Sequence, residues 1–91
     1  MATQSDTNVE IRNFDGKNFA LWKEMMQDVL LIRRQVEAIR HSDKPTSMSA
    51  EEWRSMDEIA RSIICMHLAE NVYFNMAKET TTFKLWEKLQ A

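Results

Sequence analysis

Glycine, proline and cysteine are almost missing from this sequence, with one residue of each in 91, and no long apolar run occurs. The single Cys65 cannot form an internal disulfide, which fits a reducing compartment. One glycine excludes a glycine-rich phosphate-binding loop. No segment approaches the roughly 20 apolar residues needed to cross a bilayer, so we expect no membrane contact and a cytoplasmic location, with the nucleus as the alternative. The scarcity of turn-forming residues favours an all-α fold.

The sequence also has little net charge and few residues arranged for catalysis or metal binding. The formal net charge is −2, which gives no overall electrostatic reason for nucleic-acid binding. His41, His67 and Cys65 do not have the spacing of a zinc site, and no nucleophile is paired with a base. We therefore expect no catalytic residues, no metal and no cofactor, and we interpret His67 and Cys65 as residues at the edge of the core.

What the sequence does contain is bulk for a small core: hydrophobic residues make up 44%, including three Trp, four Phe and seven Met. The length predicts one domain. We expect a disordered tail over 1–8, a short extended arm over 9–14, and a single helical lobe over 9–91. Apolar spacing predicts a small bundle of four to five helices at about 19–40, 50–69, 71–77 and 81–91.

The first predicted helix follows a turn at Asp15-Gly16 and begins after Asn18, a suitable N-cap residue. Apolar residues then recur at spacings of three and four, namely Trp22, Met25, Met26, Val29, Ile32, Val36 and Ile39. This stripe predicts one helix to residue 40. A break near Gln35 remains open as the alternative.

The second predicted helix has the strongest local signal. Ser49 and Glu52 have the spacing of a capping box, in which each side chain bonds the backbone amide of the other. Met48 and Trp53 occupy the two positions of a hydrophobic staple around that cap. This helix should therefore begin at residue 50.

Large aromatic residues supply the candidate core. We expect rings from the arm and from separate helices to pack together in one interior. The members of this predicted aromatic core are Phe14, Phe19, Trp22, Trp53 and Trp86.

Basic residues cluster after the first apolar stripe and form a candidate contact patch for RNA or another anionic partner: Arg33, Arg34, Arg40 and Lys44. The favoured interpretation is a charged helix end that complements the helix dipole. Methionines at helical spacing could line an adaptable groove, but we favour core filling.

Three segments, taken in their order along the chain, resemble those of a known protein family. They are "FDGKNFALWKEMM", "DKPTSMSAEEWRSMDEIARSII" and "TTTFKLWEKL", and together they cover about residues 12–90. This order resembles the N-terminal capsid-like region of copia-type LTR retrotransposon Gag polyproteins, or of a host gene domesticated from one. The resemblance implies an all-α capsid N-terminal lobe. It also implies a glycine after the first helix, where this chain has Gln35.

The function that the resemblance implies is structural. Such a lobe would self-associate through helix faces, as a homo-oligomer or with a second Gag lobe, to build a retrotransposon particle. The alternative is a domesticated lobe that binds a partner peptide in a hydrophobic groove. In that family RNA binding belongs mainly to downstream regions, so only weak RNA contact is expected here. The residues leave open whether the source is an active element or a captured gene.

Overall fold

The computed structural model describes residues 13–90, and this range contains five α-helices joined by turns and short loops. They are α1 (Phe19–Ile32), α2 (Glu37–Arg40), α3 (Ala50–Met66), α4 (Glu70–Met76) and α5 (Thr82–Gln90). Within this range there is no β-strand, and the predicted all-α fold is confirmed. The predicted tail over 1–8 and the arm residues 9–12 lie outside the described residues, as does Ala91.

The interior is built around α5, which packs on α2, α3 and α4, while α3 also contacts α1 and α2. Every helix contributes at least one buried apolar side chain, because each presents an apolar stripe toward this centre. The buried apolar residues are Phe14, Trp22, Met26, Leu30, Val36, Ala38, Ile39, Ala60, Ile64, Leu68, Val72, Leu85, Trp86 and Leu89.

The prediction of one continuous helix over 19–40 is wrong, because the chain breaks between α1 and α2. Arg34 adopts a left-handed backbone with φ 62°. The Arg34 amide donates to the Leu31 carbonyl at 3.0 Å and the Gln35 amide donates to the Leu30 carbonyl at 2.7 Å. This pair of bonds is a Schellman motif, which usually has glycine at the left-handed position. A non-glycine residue there costs about 1 kcal/mol.

The buried face of α1 also differs from the predicted stripe. Trp22, Met26 and Leu30 are buried, whereas Ile32 is 65% exposed. Successive helical residues turn by about 100°, so Ile32 lies on roughly the opposite side from Leu30. The predicted stripe therefore wrongly included Ile32 and omitted Leu30.

The end of α3 comes at Met66, three residues before the predicted end at 69. The following residues pair instead with the chain before α1, in an isolated parallel bridge between Phe14 and Leu68. The Phe14 amide donates to the His67 carbonyl at 2.9 Å, and the Ala69 amide donates to the Phe14 carbonyl at 2.8 Å. These bonds need an extended backbone at Leu68, which a continuing helix could not supply.

Candidate functional site

Four of the five predicted core rings come together near the start of α1. The Phe14 ring lies 5.3 Å from both Phe19 and Trp22, and Phe19 lies 5.9 Å from Trp22, measured between ring centroids. Trp86 of α5 lies 6.0 Å from Trp22. These separations fall in the range of favourable aromatic contacts. The cluster therefore ties the segment before α1 to the last helix.

The turn at Asp15-Gly16 brings Phe14 back toward α1. Gly16 has φ 102°, a conformation that side-chain-bearing residues rarely adopt. The Asp15 carboxylate accepts a hydrogen bond from the Lys17 amide at 3.1 Å. Asn18 then enters α1 in the left-handed region with φ 56°, and its side chain makes no capping bond. The one glycine of the chain thus lies at a reversal between packed rings.

His67, at the C-terminal end of α3, holds this reversal in place through its backbone. Its carbonyl accepts the Phe14 amide and also the indole Nε1–H of Trp22, the latter at 3.2 Å. Its ring Nδ1 lies 2.7 Å from the Ile63 carbonyl, to which it donates. His67 is half-buried, and within residues 13–90 it belongs to no group of three or more side chains that could hold a metal ion.

Trp53 does not join the aromatic core, and this part of the prediction is wrong. Its side chain is half-buried, it packs with no other ring in the described range, and it is outside the core cluster. The buried residues of α3 are Ala60 and Ile64, which lie in the later turns of the helix. Because α3 meets the core through those turns, its first turn is left at the edge.

A capping box is present at the start of α3. The Glu52 amide donates to the Ser49 hydroxyl at 3.0 Å, and the Ser49 amide donates to the Glu52 carboxylate at 2.9 Å. An open groove of about 720 Å³ lies alongside this cap, and we call it the α3 groove. Its lining residues are Gln35, Ser47, Met48, Glu51, Glu52, Arg54, Ser55, Met56 and Ile59.

The predicted basic residues are all exposed but occupy different local settings. Arg33 and Arg34 form the turn that ends α1. Arg40, in the last turn of α2, pairs with Glu37 at 3.2 Å. The Lys44 ammonium donates to the Met48 carbonyl at 2.9 Å. Arg40 and Lys44 are therefore engaged locally, and the contact-patch interpretation of the four residues stays a prediction.

A polar link between α3 and α5 was missed by the sequence analysis. The Thr82 amide donates to the Asp57 carboxylate at 2.9 Å, and the Thr82 hydroxyl donates to the Asp57 carbonyl at 2.7 Å. Thr82 is fully buried, so both groups need partners inside the protein. The two residues are 25 positions apart, and a hydrogen bond over that separation cannot be predicted from a local sequence pattern.

Several large apolar side chains remain on the surface. Leu31 and Ile32 are exposed beside the arginines that end α1, and Ile59 is exposed at the α3 groove. Tyr73 and Phe74 are exposed on α4, with their rings in edge contact at 5.9 Å. Interaction surfaces are marked by contiguous apolar patches, whereas single exposed apolar side chains are common on any protein.

Sites for chemistry are sparse. In residues 13–90 no group of three His, Cys, Asp or Glu side chains is arranged to hold a metal ion. Burial raises the pKa of the Cys65 thiol, against the opposing effect of the Arg61 charge, so the reactive thiolate is disfavoured. No helix in the described range combines the length and apolar character needed to span a membrane.

A pocket of about 350 Å³ lies next to the aromatic cluster. Its apolar lining is Phe14, Leu21, Trp22 and Met25. Of these, Leu21 is 64% exposed while Phe14 and Trp22 are buried. The other lining residues are the polar Asn13, Asp15, Lys17 and Asn18, so the pocket combines an exposed leucine with a polar wall.

Comparison with known proteins gives one informative similarity. The chain is 36% identical over 90 residues to the Retrovirus-related Pol polyprotein from transposon TNT 1-94 of Nicotiana tabacum. The match covers 96% of this chain but only 7% of the length of that polyprotein. No protein-family model matches the sequence, and no solved structure matches it. The similarity supports the copia-type retrotransposon relationship that the three sequence segments predict, whereas the Gag capsid assignment stays a prediction.

Proposed function

We propose that this retrotransposon-related chain is the N-terminal capsid-like lobe of a copia-type Gag protein, and that it works by self-association. The observation that carries the proposal is the similarity to a retrotransposon polyprotein along 96% of the chain. A match of that extent reaches all five helices, so the relationship concerns the folded unit rather than one motif.

The arrangement of side chains supports a structural role over a catalytic one. The interior is filled by apolar residues, and large apolar side chains such as Ile32 and Phe74 lie on outer helix faces. Weak contacts repeated by symmetry are sufficient to build a closed particle. On this proposal the lobe acts in the cytoplasm, within virus-like particles, together with other copies or a second Gag lobe.

The test is expression of the whole open reading frame that encodes these 91 residues, followed by size-exclusion chromatography and negative-stain electron microscopy. We expect assemblies much larger than a monomer, with a particulate appearance. A product that stays strictly monomeric at all accessible concentrations would contradict the proposal.

A second candidate function, a peptide-binding adaptor, is favoured by the pocket beside Phe14 and Trp22. The test deletes residues 1–13 and adds a synthetic peptide of the same sequence. Saturable binding to the truncated chain, abolished by Leu21→Glu, would support the adaptor. Loss of the folded state on deletion would instead assign those residues a structural role.

A further inference from the structure

Two adjoining surface features carry opposite charge. The first, which we call the basic turn, consists of Leu31, Ile32, Arg33 and Arg34. The second is the α3 groove, whose charged lining is Glu51, Glu52 and Arg54. Gln35 directly follows the basic turn and lines the groove, so the two features share a border.

Both features expose apolar surface beside their charges. In the basic turn Leu31 is 56% and Ile32 65% exposed. In the α3 groove Ile59 is 44% exposed, and the half-buried Met48 and Met56 also line the wall. Methionine side chains adapt readily to the shape of a partner. Each feature therefore places exposed apolar side chains next to charged ones, the two kinds of residue that protein interfaces combine.

The backbone of the basic turn is fixed by the Schellman bonds from Arg34 and Gln35. Arg34 is left-handed, although glycine would occupy that position without strain. Residues held in such sparsely populated backbone regions cluster at functional sites. The structure thus presents an arginine on a rigid turn at a place where folding alone favours glycine.

From these observations we infer that the basic turn and the α3 groove together form a two-fold interface with a second copy of this chain. In a two-fold pair each basic turn enters the α3 groove of the partner, and the arginines face Glu51 and Glu52 twice. This inference rests on the proposed function, since it names the surface through which the lobe self-associates.

The pairing is expected to be weak. The basic turn and the α3 groove hold fewer residues than the roughly 20–30 per partner of a standard stable interface, which is typical of a weak, transient contact. Its charged component also predicts weaker association at high salt. Sedimentation velocity of the 91-residue chain from about 10 μM to about 1 mM covers the concentrations at which such weak pairing is detected.

Charge reversal gives a sharp test because the two features are on the same molecule. One variant combines Arg33→Glu with Arg34→Glu, and the other is Glu51→Lys. Each alone brings like charges together at both contacts and should weaken dimerisation by about tenfold or more. An equimolar mixture restores opposite charges at both contacts and should form a heterodimer at least as well as the original chain.

Lys84→Glu is the matched control, since Lys84 is exposed on α5 and lines neither feature. It should leave the Kd unchanged, and far-UV circular dichroism should show the same helix content in every variant. Glu52 is left intact because its carboxylate completes the capping box.

The inference would be overturned by a chain that is monomeric up to about 1 mM, by a dimer insensitive to both variants, by a mixture that does not recover dimerisation, or by open head-to-tail chains in place of heterodimers. Association that occurs only with a single-stranded RNA oligonucleotide would also overturn it and assign the arginines to RNA. Particle formation by the whole open reading frame distinguishes failure of this interface from failure of the proposed function. If particles form although this dimer does not, the lobe self-associates through other surfaces and the proposed function stands.

Discussion

The entrances to α1 and α3 each place a tryptophan at the fourth helical position, yet the two entrances are stabilised in different ways. Trp53 follows a capping box whose two bonds span three residues, and it stays half-buried. Trp22 is 5% exposed and donates to the His67 carbonyl, 45 residues away. The α3 entrance is therefore a local structure, whereas the α1 entrance forms only when the end of α3 is in place.

The largest expected difference comes from removing each indole. Trp22→Ala should lower the free energy of unfolding by about 3–5 kcal/mol, because it opens a cavity next to Phe14, Phe19 and Trp86. Trp53→Ala should cost about 1 kcal/mol, since that ring is only half-buried. Urea denaturation followed by circular dichroism measures both.

Trp22→Phe serves as the control, since it keeps an aromatic ring but loses the indole donor to His67. A single net hydrogen bond contributes about 1 kcal/mol, so this variant should lie well above Trp22→Ala in stability. If Trp22→Ala and Trp53→Ala lowered the free energy of unfolding equally, the start of α1 would not depend on tertiary contacts more than the start of α3 does.

This distinction also explains what the sequence could predict. The α3 start was predicted at the correct residue, because a capping box is written within four consecutive positions. The end of α3 was placed three residues too late, because the bridge from Phe14 to Leu68 depends on a distant segment. The break after Ile32 could not be predicted from a glycine, because Arg34 occupies the left-handed position where glycine is usual. Whether Trp22 or Trp53 enters the core is decided by helix packing, which apolar spacing alone does not specify.

The start of α5 is stabilised both by a local hydrogen bond and by a hydrogen bond to α3, and we expect an effect of intermediate size there. Thr81 accepts a local bond from the Lys84 amide at 3.3 Å, and Asp57 of α3 accepts the buried Thr82 amide at 2.9 Å. Asp57→Ala leaves that amide unpaired and should cost about 1.5–3 kcal/mol. Asp57→Asn retains an acceptor oxygen and should recover much of the loss in the same denaturation assay. A smaller cost for Asp57→Ala than for Thr81→Ala would mean that the local bond dominates.

The local entrance of α3 has a smaller expected cost. Ser49→Ala removes the acceptor for the Glu52 amide and should destabilise the protein by about 1 kcal/mol. Because the groups are exposed, water can replace the lost partner. Hydrogen exchange should show faster opening confined to the first turn of α3. Faster exchange spread across α1 as well would show that the two entrances are coupled.

The smallest expected effect has the opposite sign and concerns the two left-handed turns that flank α1. Arg34→Gly relieves a side chain at φ 62° and should stabilise the protein by about 0.5–1 kcal/mol, measured by thermal and urea unfolding. Gly16→Ala should destabilise it by about 1–2 kcal/mol, since φ 102° is strained for alanine even though no atom lies within 4 Å of the added carbon.

If the basic turn is an interface, Arg34→Gly must also weaken dimerisation while it raises stability, because it removes one of the two charges that face the α3 groove. Stability would then favour glycine at position 34 and dimerisation would favour arginine, as expected where a strained residue is kept for its side chain. A variant that gained stability with an unchanged Kd would leave the strain at Arg34 without this explanation. Gly16→Ala supplies the contrast, since its loss of stability should leave the Kd unaltered at temperatures where the chain stays folded.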